Sequence, residues 1–304
     1  MFNETAKGVF TIAATPFLPD GALDTQSLDQ MVDFYLARGA TGLTILGIMG
    51  EAGKLTAEES ATVIRQICRR ADVPVVVGVS SPGFAAIDAL SKVAMDEGAA
   101  GVMVAPPGAL KTDAQIRTYF RAVGENLGET PWVLQDFPLV TGVQIDPQVI
   151  LDIIAEAPNC VMLKHEDWPG LEKISTLRRA SDAGSRRISI LCGNGGQFLL
   201  EEMMRGADGA MTGFAYPEMM RDVVALMSAG HEDAARDVFD TYLSLIRFEC
   251  QPGLGLAIRK YILAKRGAIA HDTVRAPGPS LSPQAIAEID TLIARQDARL
   301  ASLG

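Results

Sequence analysis

Lys164 and Glu166 have the types and the spacing for chemistry on a carbonyl compound. Lys164 lies in the segment CVMLKHE, behind three apolar residues, and an ammonium among apolar side chains is costly unless it serves a purpose. A lysine taken out of water releases its proton readily, and the free amine can attack a ketone to form an imine. A lysine that is only ion-paired at a strand end fits the same spacing.

Glu166 follows Lys164 by two residues, which places both side chains on one face of a strand. A carboxylate there could take a proton from a substrate carbon or hand one to a leaving hydroxyl. A simple ion pair between the two residues is the alternative. His165 should turn toward the helices, as a supporting or a surface residue, and three histidines without metal spacing predict no metal site.

Gln135 and Asp136 end the preceding apolar run, in the segment VLQDFPLVTG. Because they are adjacent, they point to opposite sides of a strand, and at most one of them faces the same interior as Lys164. Glycine-rich segments, GIMGE at residues 47–51 and CGNGG at residues 192–196, end two further runs. Their backbone N–H groups could approach a carboxylate closely, although such glycines also serve in plain tight turns.

The elements that must position these side chains alternate along the chain. Short apolar runs bounded by Gly or Pro are followed by segments of helical period, and the pattern repeats eight times. Strands that are apolar on both faces need helices on both sides. We therefore predict a (β/α)8 TIM barrel over residues 1–219, with its active site at the C-terminal strand ends. Residues 220–304 are predicted to form the last barrel helix and a C-terminal helical extension packed on the barrel.

Composition limits the functional classes. The chain has 304 residues, of which 48% are hydrophobic and 21% are charged, the balance of a globular protein. A formal charge of −10 opposes nucleic acid as a partner. Without a long apolar stretch or a signal-peptide pattern, the sequence predicts a cytoplasmic protein with no membrane partner. Its four cysteines lie far apart, which predicts reduced thiols.

Taken together, these segments resemble the dihydrodipicolinate synthase and N-acetylneuraminate lyase family. TPF in the first strand, GIMGE, QDFP, Lys164 and GNGG fall where the family has its motifs, and the match covers nearly the whole chain. The resemblance implies a 2-oxo acid held as a covalent imine on Lys164, with no other cofactor, in a homodimer or homotetramer. It implies a set of substrate-binding residues made of Thr15, Ile48, Met49, Gly193, Asn194 and Thr212.

Departures from the family pattern refine this expectation. Gln135 stands where the family has a proton-relay tyrosine, and Val140 stands where the synthase has a carboxylate-binding arginine. Ile48 and Met49 replace two threonines, so carboxylate binding there would rest on backbone N–H groups. These changes disfavour a true dihydrodipicolinate synthase. Gln-Asp-x-Pro with Lys-x-Glu instead resembles the L-2-keto-3-deoxyarabonate dehydratase branch of the family.

The predicted function is therefore that of an imine-forming lyase, with carbon–oxygen bond cleavage favoured over carbon–carbon cleavage. A 2-keto-3-deoxy sugar acid would lose water after Glu166 takes the C3 proton, with Gln135 facing the substrate and Asp136 supporting the loop from outside. Alternatives are retro-aldol cleavage or condensation with pyruvate, deamination of a cyclic imino acid, and a non-catalytic barrel that binds sugar acids.

Overall fold

A closed barrel of parallel strands forms the centre of the molecule, as predicted. The structure is a computed structural model that describes residues 2–168 and 170–303. Within these residues, eight strands follow one another around the barrel in chain order. They are β1 (Gly8–Ile12), β2 (Gly42–Ile45), β3 (Val75–Gly78), β4 (Gly101–Val104), β5 (Trp132–Asp136), β6 (Cys160–His165), β7 (Ser189–Cys192) and β8 (Gly209–Ala210).

Helices connect the strands and continue after the last one. In the described part of the chain they are α1 (Thr25–Ala37), α2 (Ala57–Arg70), α3 (Phe84–Asp96), α4 (Asp113–Leu127), α5 (Pro138–Thr141), α6 (Pro147–Glu156), α7 (Leu171–Asp182), α8 (Leu199–Met204), α9 (Pro217–Ser228), α10 (Glu232–Glu249), α11 (Gly255–Lys265) and α12 (Pro283–Leu303). Short 3₁₀ turns occupy Ile48–Gly50, Ala52–Lys54 and Asn194–Gly196. Helix α10 packs against both α9 and α12.

Local sequence signals explain where helices begin. Thr56 precedes α2 and its hydroxyl accepts a hydrogen bond from the backbone N–H of Glu59 at 3.1 Å. The Glu59 carboxylate in turn accepts a hydrogen bond from the backbone N–H of Thr56 at 2.9 Å, which completes a capping box. Pro138, Pro147, Pro217 and Pro283 each begin a helix, where their missing N–H costs nothing.

The strands end earlier than their apolar runs predicted. The apolar run GLTILGI, residues 42–48, gives a strand only to Ile45, because Leu46 takes a left-handed φ of 54° and leaves the ladder. Strand β6 ends at His165, one residue before Glu166. The N–H of Glu166 nevertheless donates to the carbonyl of Asp136 at 2.9 Å, so the chain keeps its extended course through that residue.

Two apolar layers lie on the two sides of the strands. The interior layer includes Val133 and Met162 on neighbouring strands, and a larger outer layer fills the space between strands and helices. Two residues further along, Gln135 and Lys164 therefore face the interior, while Asp136 faces the helices. The interior layer consists of Phe2, Ala6, Phe10, Ile12, Val76, Met103, Val133, Val161, Met162, Leu191 and Met211.

The remaining features of the fold are the apolarity of the helices and the state of the cysteines. In the described residues no helix combines the length and apolarity needed to cross a bilayer. Cys160 and Cys192 are buried, Cys68 and Cys250 are half-buried, and all four thiols are free.

Candidate active site

Lys164, Glu166 and Gln135 meet at the C-terminal end of the barrel interior. Gln135 is the register partner of Lys164 across β5 and β6. Oε2 of Glu166 lies 3.0 Å from Nζ of Lys164 and accepts a hydrogen bond of 2.6 Å from Nε2 of Gln135. All three side chains are about 95% buried. One carboxylate oxygen thus contacts both a buried amine and a buried amide, which is an arrangement suited to proton transfer beside a nucleophile.

The loop after β7 holds Glu166 in place. Gly193 packs on the Glu166 side chain so closely that a Cβ at this position would collide with it. Nδ2 of Asn194 donates to the Glu166 carbonyl at 3.0 Å, and Asn194 has a left-handed φ of 50°. Asparagine adopts this conformation more readily than most non-glycine residues, so it is the contact with Glu166 that makes this loop a functional candidate.

Thr212, at the end of the β8 segment, contacts the same loop. Its hydroxyl oxygen accepts a hydrogen bond of 2.8 Å from the backbone N–H of Gly195. Accepting this bond leaves the hydroxyl hydrogen free to donate elsewhere. Thr212 is 4% exposed, so its position beside the glycine-rich turn is fixed by packing.

The loop after β2 faces the site from the other side of the barrel. Ile48 is half exposed, whereas Met49 packs against the interior apolar layer. Thr15, at the end of the first apolar run, donates its hydroxyl to the carbonyl of Gly50 at 2.5 Å. This bond ties the loops after β1 and β2 together at the position where the sequence predicts carboxylate binding.

Backbone N–H groups of this loop are free for an anion. Gly50 and Glu51 donate their N–H groups to the carbonyls of Gly47 and Ile48 at 3.0 Å. Among the residues that the structure describes, the N–H groups of Ile48 and Met49 donate no protein hydrogen bond. They occupy the first positions of a 3₁₀ turn, where orphan donors are expected.

A buried ionic group stands behind the site, between the strands and α7. Nζ of Lys173 lies 2.7 Å from Oδ2 of Asp136 and 2.7 Å from Oδ2 of Asp167. Burial raises the pKa of Asp136 to about 6, although the positive charge of Lys173 opposes the rise. Burial and the charge of Lys173 lower the pKa of His165 to about 4, so His165 is neutral at pH 7. The surface alternative for His165 is wrong, since it is 1% exposed.

Lys173 has no role in the function predicted from the sequence. A signal was present in the segment LEKISTL, where Lys173, Ile174 and Leu177 follow the spacing of one helix face. All three are buried in the structure. A lysine beside the apolar face of a barrel helix therefore points to a buried acidic partner.

Another buried acid, Glu202 of α8, lies beside the thiol of Cys192 in β7. Burial is the main cause that raises the pKa of Glu202 to about 8, and the charges of Glu201 and Glu166 add to it. Glu202 therefore stays protonated in the folded protein at neutral pH, whereas it ionises above its usual value of 4.5 in the unfolded chain. The folded state binds more protons between these two values, so stability falls as pH rises through this window.

Glu202→Gln should remove this pH dependence, because glutamine imitates the protonated acid. We compare the free energies of unfolding of the variant and of the unaltered protein. The value for the variant minus the value for the unaltered protein should rise with pH by about 1.4 kcal/mol per pH unit, or roughly 2 to 3 kcal/mol from pH 6 to pH 8. Urea titrations at several pH values measure this difference. Glu201→Gln, at the partly exposed neighbouring position, is the control and should give a nearly constant difference. A constant difference for Glu202→Gln as well would show that Glu202 is ionised in the folded protein.

Across residues 2–168 and 170–303, no group of three or more His, Cys, Asp or Glu side chains is placed to hold a metal ion.

Known proteins match most or nearly all of this chain. L-2-keto-3-deoxyarabonate dehydratase of Azospirillum brasilense is 29% identical over 299 residues, which cover 96% of this chain and 94% of that protein. A 4-hydroxy-tetrahydrodipicolinate synthase of Xanthomonas campestris is 32% identical over 244 residues, or 78% of each chain. A crystal structure named dihydrodipicolinate synthase, from Rhodopseudomonas palustris, has a TM-score of 0.95 and 53% identity, and covers 97% of this chain and 99% of that one.

The family assignment follows from a match to the family as a whole. Residues 5–296 match the dihydrodipicolinate synthetase family, which confirms the resemblance drawn from the strand-end motifs. The chain is therefore a member of the dihydrodipicolinate synthetase family.

Proposed function

We propose that the protein dehydrates a 2-keto-3-deoxy sugar acid through an imine on Lys164. Enzymes of its family react through a lysine Schiff base and need no cofactor. The observation that carries the proposal is the position of Glu166, whose Oε2 contacts both Lys164 Nζ and Gln135 Nε2. A base placed beside the imine nitrogen is also close to the carbon next to the imine carbon.

Imine formation begins the reaction. With Glu166 at 3.0 Å, the Lys164 ammonium can pass a proton to the carboxylate and attack C2 of the keto acid as a free amine. Glu166 then returns this proton to the C2 hydroxyl of the carbinolamine, which leaves as water, and Glu166 is a carboxylate again. Nζ becomes a protonated imine, which draws electrons from C3 and makes the C3–H bond acidic.

Elimination is the second step. Glu166, as a carboxylate, removes a proton from C3, and the resulting enamine expels the C4 hydroxyl, which leaves as water after it receives that proton. The C3–C4 bond becomes a double bond and the imine is restored. Hydrolysis consumes one water and releases the product, so that one water is lost in total and no oxidant or reductant takes part.

Gln135 decides which bond breaks in this proposal. Its amide cannot ionise, so it cannot serve as the acid–base relay that a phenol supplies at this position in the family. The amide can hold Glu166 by its 2.6 Å hydrogen bond and direct that carboxylate toward C3. Removal of a proton from C3 and loss of the C4 hydroxyl require one base, whereas retro-aldol cleavage requires a base at the C4 oxygen.

The loop after β2 is the proposed site for the substrate carboxylate. The N–H groups of Ile48 and Met49 would donate to it, and Thr15 fixes the loop through Gly50. On the opposite side, Thr212 has a hydroxyl hydrogen to donate, and Gly193 and Asn194 line the turn beside Glu166. These residues are proposed to contact the hydroxylated end of the substrate.

The test is a panel of 2-oxo acids, from pyruvate to 2-keto-3-deoxypentonates and hexonates, incubated with the protein and analysed for products. We expect a product lighter by one water from a 2-keto-3-deoxy acid and no pyruvate. Borohydride added during turnover should leave a reduced adduct on Lys164, located by peptide mass spectrometry. Release of pyruvate would replace the dehydratase by an aldolase, and lack of any adduct in folded protein would favour the sugar-acid binding barrel.

A synthase is the second candidate, and the relatives named as synthases favour it. Pyruvate would then form the imine on Lys164 and condense with an aldehyde. Incubation of the protein with pyruvate and aspartate semialdehyde distinguishes a synthase from a dehydratase. A synthase consumes both compounds, whereas a dehydratase leaves them uncondensed.

Three further properties belong to this proposal. We infer a cytoplasmic location, a homodimer or homotetramer, and a chain in which residues 220–304 pack as an extension on the barrel of residues 1–219. Light scattering of the purified protein measures the assembly, and a monomeric mass would remove that part of the proposal.

A further inference from the structure

Glu51, the last residue of the GIMGE segment, sits at the centre of a buried ionic cluster. Its Oε1 accepts from Nζ of Lys260 at 2.5 Å, and its Oε2 accepts from Nζ of Lys54 at 2.7 Å and from the backbone N–H of Arg275 at 3.0 Å. Glu51 is 4% exposed and Lys260 is fully buried. We refer to these four residues as the Glu51 cluster. Two of its members, Lys260 and Arg275, come from the C-terminal helical extension.

The same cluster reaches the loop after β1. Nζ of Lys260 lies 4.5 Å from the ring centroid of Phe17, and the guanidinium of Arg275 lies 4.3 Å from it. Phe17 follows the TP pair that contains Thr15, and it is also fully buried. Lys260 gains a further acceptor in the carbonyl of Thr273 at 2.8 Å. Each group in this cluster is therefore held from more than one direction.

The conformation of the loop after β2 depends on Glu51. Leu46 and Glu51 flank residues 47–50 and both have left-handed backbones, with φ of 54° and 55°. Such conformations in non-glycine residues persist only where the surroundings fix them. The contacts to both oxygens of Glu51 supply that constraint, and the bond from Thr15 to the Gly50 carbonyl supplies a second one.

We propose that Glu51 and Lys260 are positioning residues through which the C-terminal extension sets the affinity of the loop after β2 for the substrate carboxylate. The inference rests on the proposed carboxylate site at this loop. Neither residue needs to touch the substrate, because a displacement of the Ile48 and Met49 N–H groups by a fraction of an ångström weakens their bonds to an anion.

Glu51 and Lys260 carry opposite charges, so substitutions at the two positions can distinguish an effect of position from a purely electrostatic effect on anion binding. If the cluster acted only by its charge, Glu51→Gln would strengthen binding of an anion and Lys260→Met would weaken it. If it acts by position, both substitutions weaken binding. The effect should also be confined to substrates that carry a carboxylate, since only these contact the loop.

The experiment measures the concentration of pyruvate that half-saturates borohydride trapping on Lys164, with methyl pyruvate as the uncharged comparison. We expect Glu51→Gln and Lys260→Met each to raise the half-saturating pyruvate concentration by at least about tenfold, with the value for methyl pyruvate changed by less than about twofold. Thermal unfolding monitors the fold of each variant. Lys54→Met, which removes a partly exposed contact to Glu51, should give a smaller rise in the same direction.

A matched control lies at the opposite end of the barrel. Arg178 donates to Asp208 at 2.6 Å, beside the N-terminal ends of β7 and β8, and Arg178→Met should lower stability without changing either half-saturating concentration. Unchanged pyruvate values in the folded Glu51 and Lys260 variants, opposite shifts in the two, or equal shifts for acid and ester would each overturn the inference. If the two variants do not fold, an unchanged value for Lys54→Met overturns it. A parent protein that traps neither compound would instead refute the proposed function.

Discussion

Lys164→Ala loses turnover of the 2-keto-3-deoxy acid by at least about 10⁴-fold, because Lys164 supplies the amine that forms the covalent intermediate. The side chain is 5% exposed at the end of β6, and its amine has Glu166 as an ion-pair partner at 3.0 Å. Without the imine, the C3 proton is acidified only by the ketone. The loss should appear in kcat, and borohydride trapping should leave no adduct.

Lys164→Arg separates the nucleophile from the ion pair. Arginine keeps the positive charge beside Glu166 but forms no imine under these conditions, so its turnover should fall as far as that of the alanine variant. Lys173→Arg, which alters a buried lysine outside the barrel interior, is the control and should keep trapping on Lys164. Measurable turnover in Lys164→Arg would mean that position 164 needs only a cation.

Glu166→Gln lowers turnover by about 10²- to 10⁴-fold, because the substitution removes the base at C3. The Lys164 amine remains and still forms the imine, more slowly, since its proton then passes to water. Gln135 contacts Glu166 at 2.6 Å, so the neutral amide at position 166 retains a hydrogen-bond partner and the local packing. The variant should therefore be trapped on Lys164 by borohydride with a 2-oxo acid that it turns over poorly.

Proton exchange gives a direct measurement of the role of Glu166. In D₂O, the methyl protons of pyruvate exchange through the imine, and NMR follows their loss. We expect Glu166→Gln to slow this exchange as strongly as it slows turnover, and Glu201→Gln to leave the rate unchanged. If exchange in Glu166→Gln kept the rate of the unaltered protein, another group would be the base at C3.

Local patterns were sufficient to predict most of the architecture. Eight apolar runs separated by helical segments predicted the closed barrel, and the two-residue spacing of Lys164 and Glu166 predicted that they share a face. Both properties follow from the side-chain periods of strands and helices, 2 and 3.6 residues, which depend only on local backbone conformation. The extents of the strands were less well predicted, because Leu46 leaves the ladder at a point that apolar character does not mark.

Residue spacing alone left the choice between Gln135 and Asp136 open, the family resemblance favoured Gln135 as the residue that faces the substrate, and the tertiary structure gives the physical reason. Adjacent residues must face opposite sides, but only the register of β5 with β6 places Gln135 beside Lys164 and leaves Asp136 to pair with Lys173. A shift of one residue would exchange their roles.

The sequence by itself thus determined the fold class, because this depends on local period. The cost of burying a charge made Lys164 a candidate nucleophile, and the family resemblance selected it over a simple ion pair. Only the tertiary structure decided which partners satisfy the buried charges. Glu51 and Lys260 are 209 residues apart in the chain and 2.5 Å apart in space. No local pattern connects such a pair, since the contact exists only after the barrel has closed and the C-terminal extension has packed against it.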